Sequence, residues 1–137
     1  LKRIDDLIYV TLKYTRTVDV LRSVIERMIN SYEYLIEALT KKSISLGASE
    51  EELTNPISKA NFVLENYDSK IIKENITKYL LFRKLKRVEY KKESEFRRHV
   101  TMIAKVDEKE IKVDIDSITE DFHNLKQTMD YVEKQIK

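Results

Sequence analysis

Apolar residues in the first third of the chain recur at intervals of three and four: Leu7, Val10, Tyr14, Val18, Leu21, Ile25, Met28, Tyr32, Leu35 and Leu39. That spacing lines them up on one face of an α-helix and predicts a helix over about 4–46, with Gly47 placed for a left-handed C-terminal cap. At ~1.5 Å per residue the helix would be roughly 60 Å long, against a radius of gyration of only ~14 Å for a compact domain of this size. Two arrangements fit. Either the helix breaks near Thr15-Arg16-Thr17, whose hydroxyls would cap a second helix, or it projects and pairs with another subunit. We read it as unbroken. Tyr14, Val18, Leu21, Ile25, Met28 and Tyr32 are then a self-association face, and Leu21→Lys or Met28→Lys should dissociate a dimer.

Ser49-Glu50-Glu51-Glu52 has the form of a capping box, with carboxylates where the helix dipole favours them. Pro56 suits the first turn of a helix over about 55–66 capped by Thr54 or Asn55, with Ile57, Ala60, Val63 and Leu64 on its apolar side. After the turn Asn66-Tyr67-Asp68-Ser69, a third helix over about 69–90 carries Ile72, Ile76, Tyr79, Leu80, Phe82, Leu85 and Val88, capped by Asp68 or Ser69.

Beyond Glu95 the period changes to two. Phe96, Arg98, Val100, Met102, Ala104 and Val106 alternate with Arg97, His99, Thr101, Ile103 and Lys105. Alternation resumes after Asp107-Glu108-Lys109-Glu110 with Ile111, Val113 and Ile115, which predicts a β-hairpin over about 96–116. Its turn has neither Gly nor Asn, the usual residues there. Ser117-Ile118-Thr119-Glu120 is a second capping box, opening a last helix over about 118–136 with Ile118, Phe122, Leu125, Met129, Val132 and Ile136 as its stripe. The expected fold is one mainly α domain over 1–137: a helical bundle of about four helices, with a long N-terminal helix and a β-hairpin inserted before the last helix.

Composition supports this and narrows the chemistry. The 137 residues hold one Gly and one Pro, so elements should be few and long, and no glycine-rich phosphate loop exists. There is no Cys, which excludes disulfides, thiolate metal sites and a Cys nucleophile, and fits a cytoplasmic protein. No apolar run reaches membrane-helix length, and the opening Leu1-Lys2-Arg3-Ile4-Asp5-Asp6 is not a signal peptide. The sequon Asn75-Ile76-Thr77 is accordingly read as chance. Charged residues make up 36%, above the usual ~25%, and with only two Gln the usage resembles that of hyperthermophiles.

Charge is the first candidate for function. Residues 83–98, RKLKRVEYKKESEFRR, hold eight basic and three acidic residues, while 107–121 hold seven acidic and two basic. Arg83, Lys84, Lys86, Arg87, Lys91, Lys92, Arg97 and Arg98 form a candidate contact for nucleic acid or an acidic partner. The competing reading is a solvated face, or neutralisation by the acidic stretch when the hairpin folds back. Arg83 and Arg87 continue the Ile76–Leu80 stripe and would rest their stems on the core. Glu120-x-x-His123 is the one metal-like spacing, but it occurs once, whereas di-iron bundles need two such pairs and two further Glu. No metal, cofactor or catalytic residue is therefore assigned.

The string Phe82-Arg83-Lys84-Leu85-Lys86-Arg87-Val88-Glu89-Tyr90 is similar to the third-helix region of HEPN-type bundles, which are nucleic-acid-associated. Those domains carry an Arg followed, after four to six intervening residues, by a catalytic His. Neither His99 nor His123 has an arginine at that distance upstream, so no site is carried over. The leading expectation is a non-enzymatic interaction protein that self-associates or docks a protein partner. A nucleic-acid-binding module using the 83–98 segment is the alternative.

Overall fold

The computed structural model describes residues 17–45 and 55–136. Four helices, α1 (Val18–Ser45), α2 (Pro56–Asn66), α3 (Lys70–Arg87) and α4 (Ile115–Ile136), surround one core, and an antiparallel sheet of β1 (Tyr90–Glu93), β2 (Thr101–Val106) and β3 (Lys109–Asp114) separates α3 from α4 in sequence. The mainly α bundle with a long first helix and a hairpin before the last is thus the observed architecture.

Helix α1 starts after Thr17 instead of running through it. The Thr17 hydroxyl accepts from the Val20 N–H at 3.3 Å and its carbonyl accepts from the Leu21 N–H at 3.2 Å, a capped start. Residues 4–16 of the expected helix, the Gly47 cap and the Ser49 capping box lie outside the described residues.

The self-association face is corrected more deeply. Val18, Leu21, Ile25, Met28 and Tyr32 are all buried, together with Leu35 and Leu39, in the core of the chain itself; Tyr14 lies outside the described residues. The physical reason is that α2, α3 and α4 all pack on α1 and cover these five residues within the chain. Tyr32 packs on Tyr79 and Phe82 with ring centroids 6.0 Å away in each case, tilted and edge-on, an arrangement that aromatic quadrupoles favour. A lysine at Leu21 or Met28 would therefore put an ammonium into this core and unfold the chain rather than dissociate a dimer.

The caps resolve the alternatives left open by the sequence. Asn55 Oδ1 accepts from the Ser58 N–H at 2.8 Å ahead of Pro56, and the Ser69 hydroxyl accepts from the Ile72 N–H at 3.4 Å. Helix α4 opens earlier than expected. Asp114 Oδ1 accepts from the Ser117 N–H at 2.7 Å while the Ser117 hydroxyl accepts from the Asp114 N–H at 3.1 Å. The reciprocal box is present, three residues upstream of the one predicted.

The third strand is the feature that periodicity missed. Helix α3 ends at Arg87, and Val88 turns extended (φ −92°, ψ 158°) so that β1 can pair with β2 in the register Tyr90↔Ala104, Lys91↔Ile103, Lys92↔Met102 and Glu93↔Thr101. On the inner face of the sheet Met102, Ala104, Val106 and Val113 are buried, and Val100 beside them seals the end of the core. The β2–β3 connection is shorter than predicted. Val106 pairs with Lys109, so only Asp107 and Glu108 turn the chain, both left-handed at φ 51° and 67°.

Candidate nucleic-acid interface

The eight basic side chains of 83–98 fall on three elements: the last turns of α3, strand β1 and the loop that follows it. Four of them have carboxylate partners. Lys84 meets Asp107 at 2.6 Å, Lys86 meets Glu26 at 3.5 Å, and Lys92 meets Asp19 at 3.4 Å and Glu95 at 3.8 Å. Arg83 is the most enclosed, its side chain only 22% exposed. It donates to the Tyr79 hydroxyl at 3.2 Å, stacks over that ring at 5.7 Å and lies 4.0 Å from Glu33. Neutralisation of the basic run therefore comes mainly from Asp19, Glu26 and Glu33 on α1, with Asp107 the one contributor from the later acidic stretch.

Arg87, Lys91, Arg97 and Arg98 are exposed and have no carboxylate partner among the described residues. They do not make one patch. Arg87 stands at the α3 end of β1, and Arg97 and Arg98 stand beyond its other end. Lys91 lies on the outer face of the sheet in the row Lys91–Ile103–Lys112, and the next row towards the loop is Glu93–Thr101–Asp114. Two carboxylates thus separate Lys91 from the loop arginines.

Arg22 was invisible to the sequence reading. Its guanidinium lies 4.5 Å from the Tyr90 ring centroid and donates to the Tyr90 hydroxyl at 3.2 Å and the Lys86 carbonyl at 3.3 Å. It clamps the α3–β1 corner, a cation–π contact across 68 residues that no local pattern encodes.

The β1–β2 loop, residues 94–100, is fixed at both ends. At its start, Glu95 accepts from the Val18 N–H at 3.3 Å, which ties the loop to the first turn of α1. At its end, Val100 is buried, and the Thr101 hydroxyl donates to the His99 carbonyl at 2.7 Å. Two turns lie between, closed by Arg97 N–H to the Ser94 carbonyl at 3.1 Å and Val100 N–H to the Arg97 carbonyl at 3.0 Å. They require left-handed backbone at Ser94 (φ 56°) and Phe96 (φ 64°). For a bulky residue such a φ is a real outlier, and strain of this kind persists where the surroundings impose it.

The loop thereby presents Phe96, Arg97, Arg98 and His99 in succession to solvent, with Phe96 78% exposed. The alternation expected from the sequence puts Phe96 and Arg98 on the same side of a strand as Val100, Met102, Ala104 and Val106. Of Phe96, Arg98 and Val100, which precede the strand, only Val100 is buried, because the strand begins at Thr101.

An open groove of about 930 Å³ is lined in part by Tyr32, Asn75, Lys78, Asp121 and Asn124. Its polar groups already serve one another. Lys78 pairs with Asp121 at 3.5 Å, and buried Asn75 donates to the Thr128 hydroxyl at 2.7 Å and the Ile71 carbonyl at 2.9 Å. Desolvation pushes the Asp121 carboxyl above the usual range against the opposing pull of Lys78, and burial, with the charge of Asp121, pushes the Tyr32 phenol up. Glu120 and His123 are exposed on α4, and no cluster of three or more His, Cys, Asp or Glu able to hold a metal ion occurs among the described residues. No helix among them is long and apolar enough to cross a membrane.

Compared with protein families, curated proteins and solved structures, the chain matches none.

Proposed function

We propose that this protein is a non-catalytic nucleic-acid-binding module that engages its ligand through the β1–β2 loop. One observation carries the reading: a loop anchored at both ends holds out an exposed aromatic beside two arginines with no carboxylate partner. Guanidinium groups suit phosphate because their planar forks donate in pairs, and counterion release makes each such contact favourable. Self-association through α1 loses its support, since that stripe is covered within the chain. A cytoplasmic location and independence of any cofactor belong to the same proposal.

The contact is small, and the affinity should be modest. Lys84, Lys86 and Lys92 are engaged by carboxylates and would have to exchange partners before contacting phosphate. The test is amide chemical-shift mapping of the labelled protein titrated with a short oligonucleotide at low salt. Perturbations concentrated at residues 94–100 are expected. Perturbations confined to the α3–α4 groove, or none at all, would overturn the assignment.

A further inference from the structure

We infer that the ligand is a single strand, and that one of its unpaired bases stacks on Phe96 while Arg97 and Arg98 hold the flanking phosphates. This rests on the loop assignment above and adds the class of nucleic acid and the role of a residue without charge.

Three observations converge on it. Phe96 is the most exposed large apolar side chain of the described residues, yet it stands among Ser94, Glu95, Arg97, Arg98 and His99, and the loop's one other apolar residue, Val100, is buried. A lone ring in a polar loop cannot build an apolar docking patch, but one ring face is what an unstacked base requires. The backbone at Phe96 is left-handed, a conformation that Gly or Asn would adopt with less strain, so the ring is held out at a conformational cost. The charge around the loop also discriminates between ligands. The Glu93–Thr101–Asp114 row lies directly behind it, so carboxylates separate the positive charge of the tip from the lysines further along the sheet. A broad anionic membrane surface would meet those carboxylates, whereas a flexible strand can cross the tip alone.

Duplex ligands fit less well. Bases in a duplex are stacked and paired, so a single ring reaches one only after a base is extruded. Direct readout of the major groove needs a helix or a two-stranded ribbon that enters it. The β1–β2 loop supplies neither, because its backbone folds into two turns at the tip. Stacking on an aromatic tolerates any base, so little sequence preference is expected.

The experiment uses single-stranded oligonucleotides carrying 2-aminopurine, whose fluorescence is quenched when the base stacks, beside the matching duplex. The unaltered protein should quench the single strand and bind the duplex more weakly. Phe96→Leu should abolish quenching and lower affinity roughly 5- to 150-fold, the range for losing one base–aromatic stack, while Phe96→Trp keeps both. Phe96→Gly should raise the thermal midpoint by relieving the left-handed strain, yet bind as poorly as Phe96→Leu. A side chain with only a structural role would not separate stability from binding in this way.

Unchanged affinity and quenching in Phe96→Leu, with binding still lost in Arg97→Glu/Arg98→Glu, would overturn the stacking inference and leave the loop assignment standing. Duplex bound as tightly as single strand would overturn it too. Binding to anionic lipid vesicles or acidic peptides in place of any oligonucleotide would overturn both.

Discussion

Replacing Thr128 by Val tests a buried polar link between α3 and α4. Thr128 is 1% exposed and Asn75 6%, and the Thr128 hydroxyl accepts from Asn75 Nδ2 at 2.7 Å while donating to the Asn124 carbonyl at 2.8 Å. Val has nearly the same shape, so no cavity forms. One Asn75 N–H is left without an acceptor away from water, which costs ~1–3 kcal/mol. The methyl that replaces the hydroxyl returns ~0.8 kcal/mol of burial, so the expected net loss is about 1.2 kcal/mol. For a chain of this length that corresponds to a fall of roughly 5 °C in thermal midpoint. Urea denaturation followed by circular dichroism would read it as a lower midpoint at unchanged slope. In the double variant Asn75→Leu/Thr128→Val no polar group is stranded, and stability should recover by about 1 kcal/mol relative to Thr128→Val alone. A single variant as stable as the parent, or a double variant weaker than the sum of its parts, would refute the argument.

Three further outcomes follow from single contacts. Glu95→Ala should lower stability by about 1 kcal/mol, with Glu95→Gln losing less because it still accepts from the Val18 N–H; equal losses in the two would show that the contact is not a cap. Glu108→Gly should stabilise, since a left-handed residue with a side chain costs ~1–2 kcal/mol and the added freedom of Gly in the unfolded chain takes back only ~0.4–1 kcal/mol; a lower urea midpoint would contradict it. Asp121 titrates above its unfolded value because burial disfavours its charge, so its contribution is fully present below the unfolded pKa and is lost as pH rises through the folded one. Asp121→Asn should therefore flatten the decline in stability on going from acid to neutral pH; an unchanged pH profile would show that desolvation does not govern this carboxyl.

How much the sequence revealed depends on how local the signal was. The spans of α2, α3 and α4 and the inner residues Val100, Met102, Ala104 and Val106 were legible because each stripe carries its period within a few turns. The caps at Asn55 and Ser69 were legible to within one residue for the same reason. Strand β1 was not, because Val88 continues the spacing of α3 and an edge strand whose last three residues are exposed shows no alternation of its own. It forms because β2 offers a partner ten or so residues later. The α1 stripe was recognised, but its partner was not. Periodicity states that a face is buried, and only the tertiary arrangement states that α2, α3 and α4 bury it. The basic run misled through proximity in sequence. Arg83, Lys84, Lys86 and Lys92 find carboxylates 2.6–4.0 Å away on α1 or at the Asp107 turn, contacts without a local signature. Asn75 shows the reverse case. Its sequon was set aside as chance, and its amide nitrogen is buried and committed to two acceptors.

The central claim is that phosphates are held by the loop arginines, and the dependence of oligonucleotide affinity on salt tests it most directly. Anisotropy titrations of a labelled single strand at several salt concentrations should give log affinity falling with log salt at a slope of about −1.4 to −2.1, from ~0.7 per phosphate for two or three contacts. Arg97→Glu/Arg98→Glu should remove most of that slope together with the binding, while Lys84→Glu should change little beyond the loss of its Asp107 pair. Absence of binding at low salt, or a slope and affinity indifferent to reversal of the loop charges, would contradict the account.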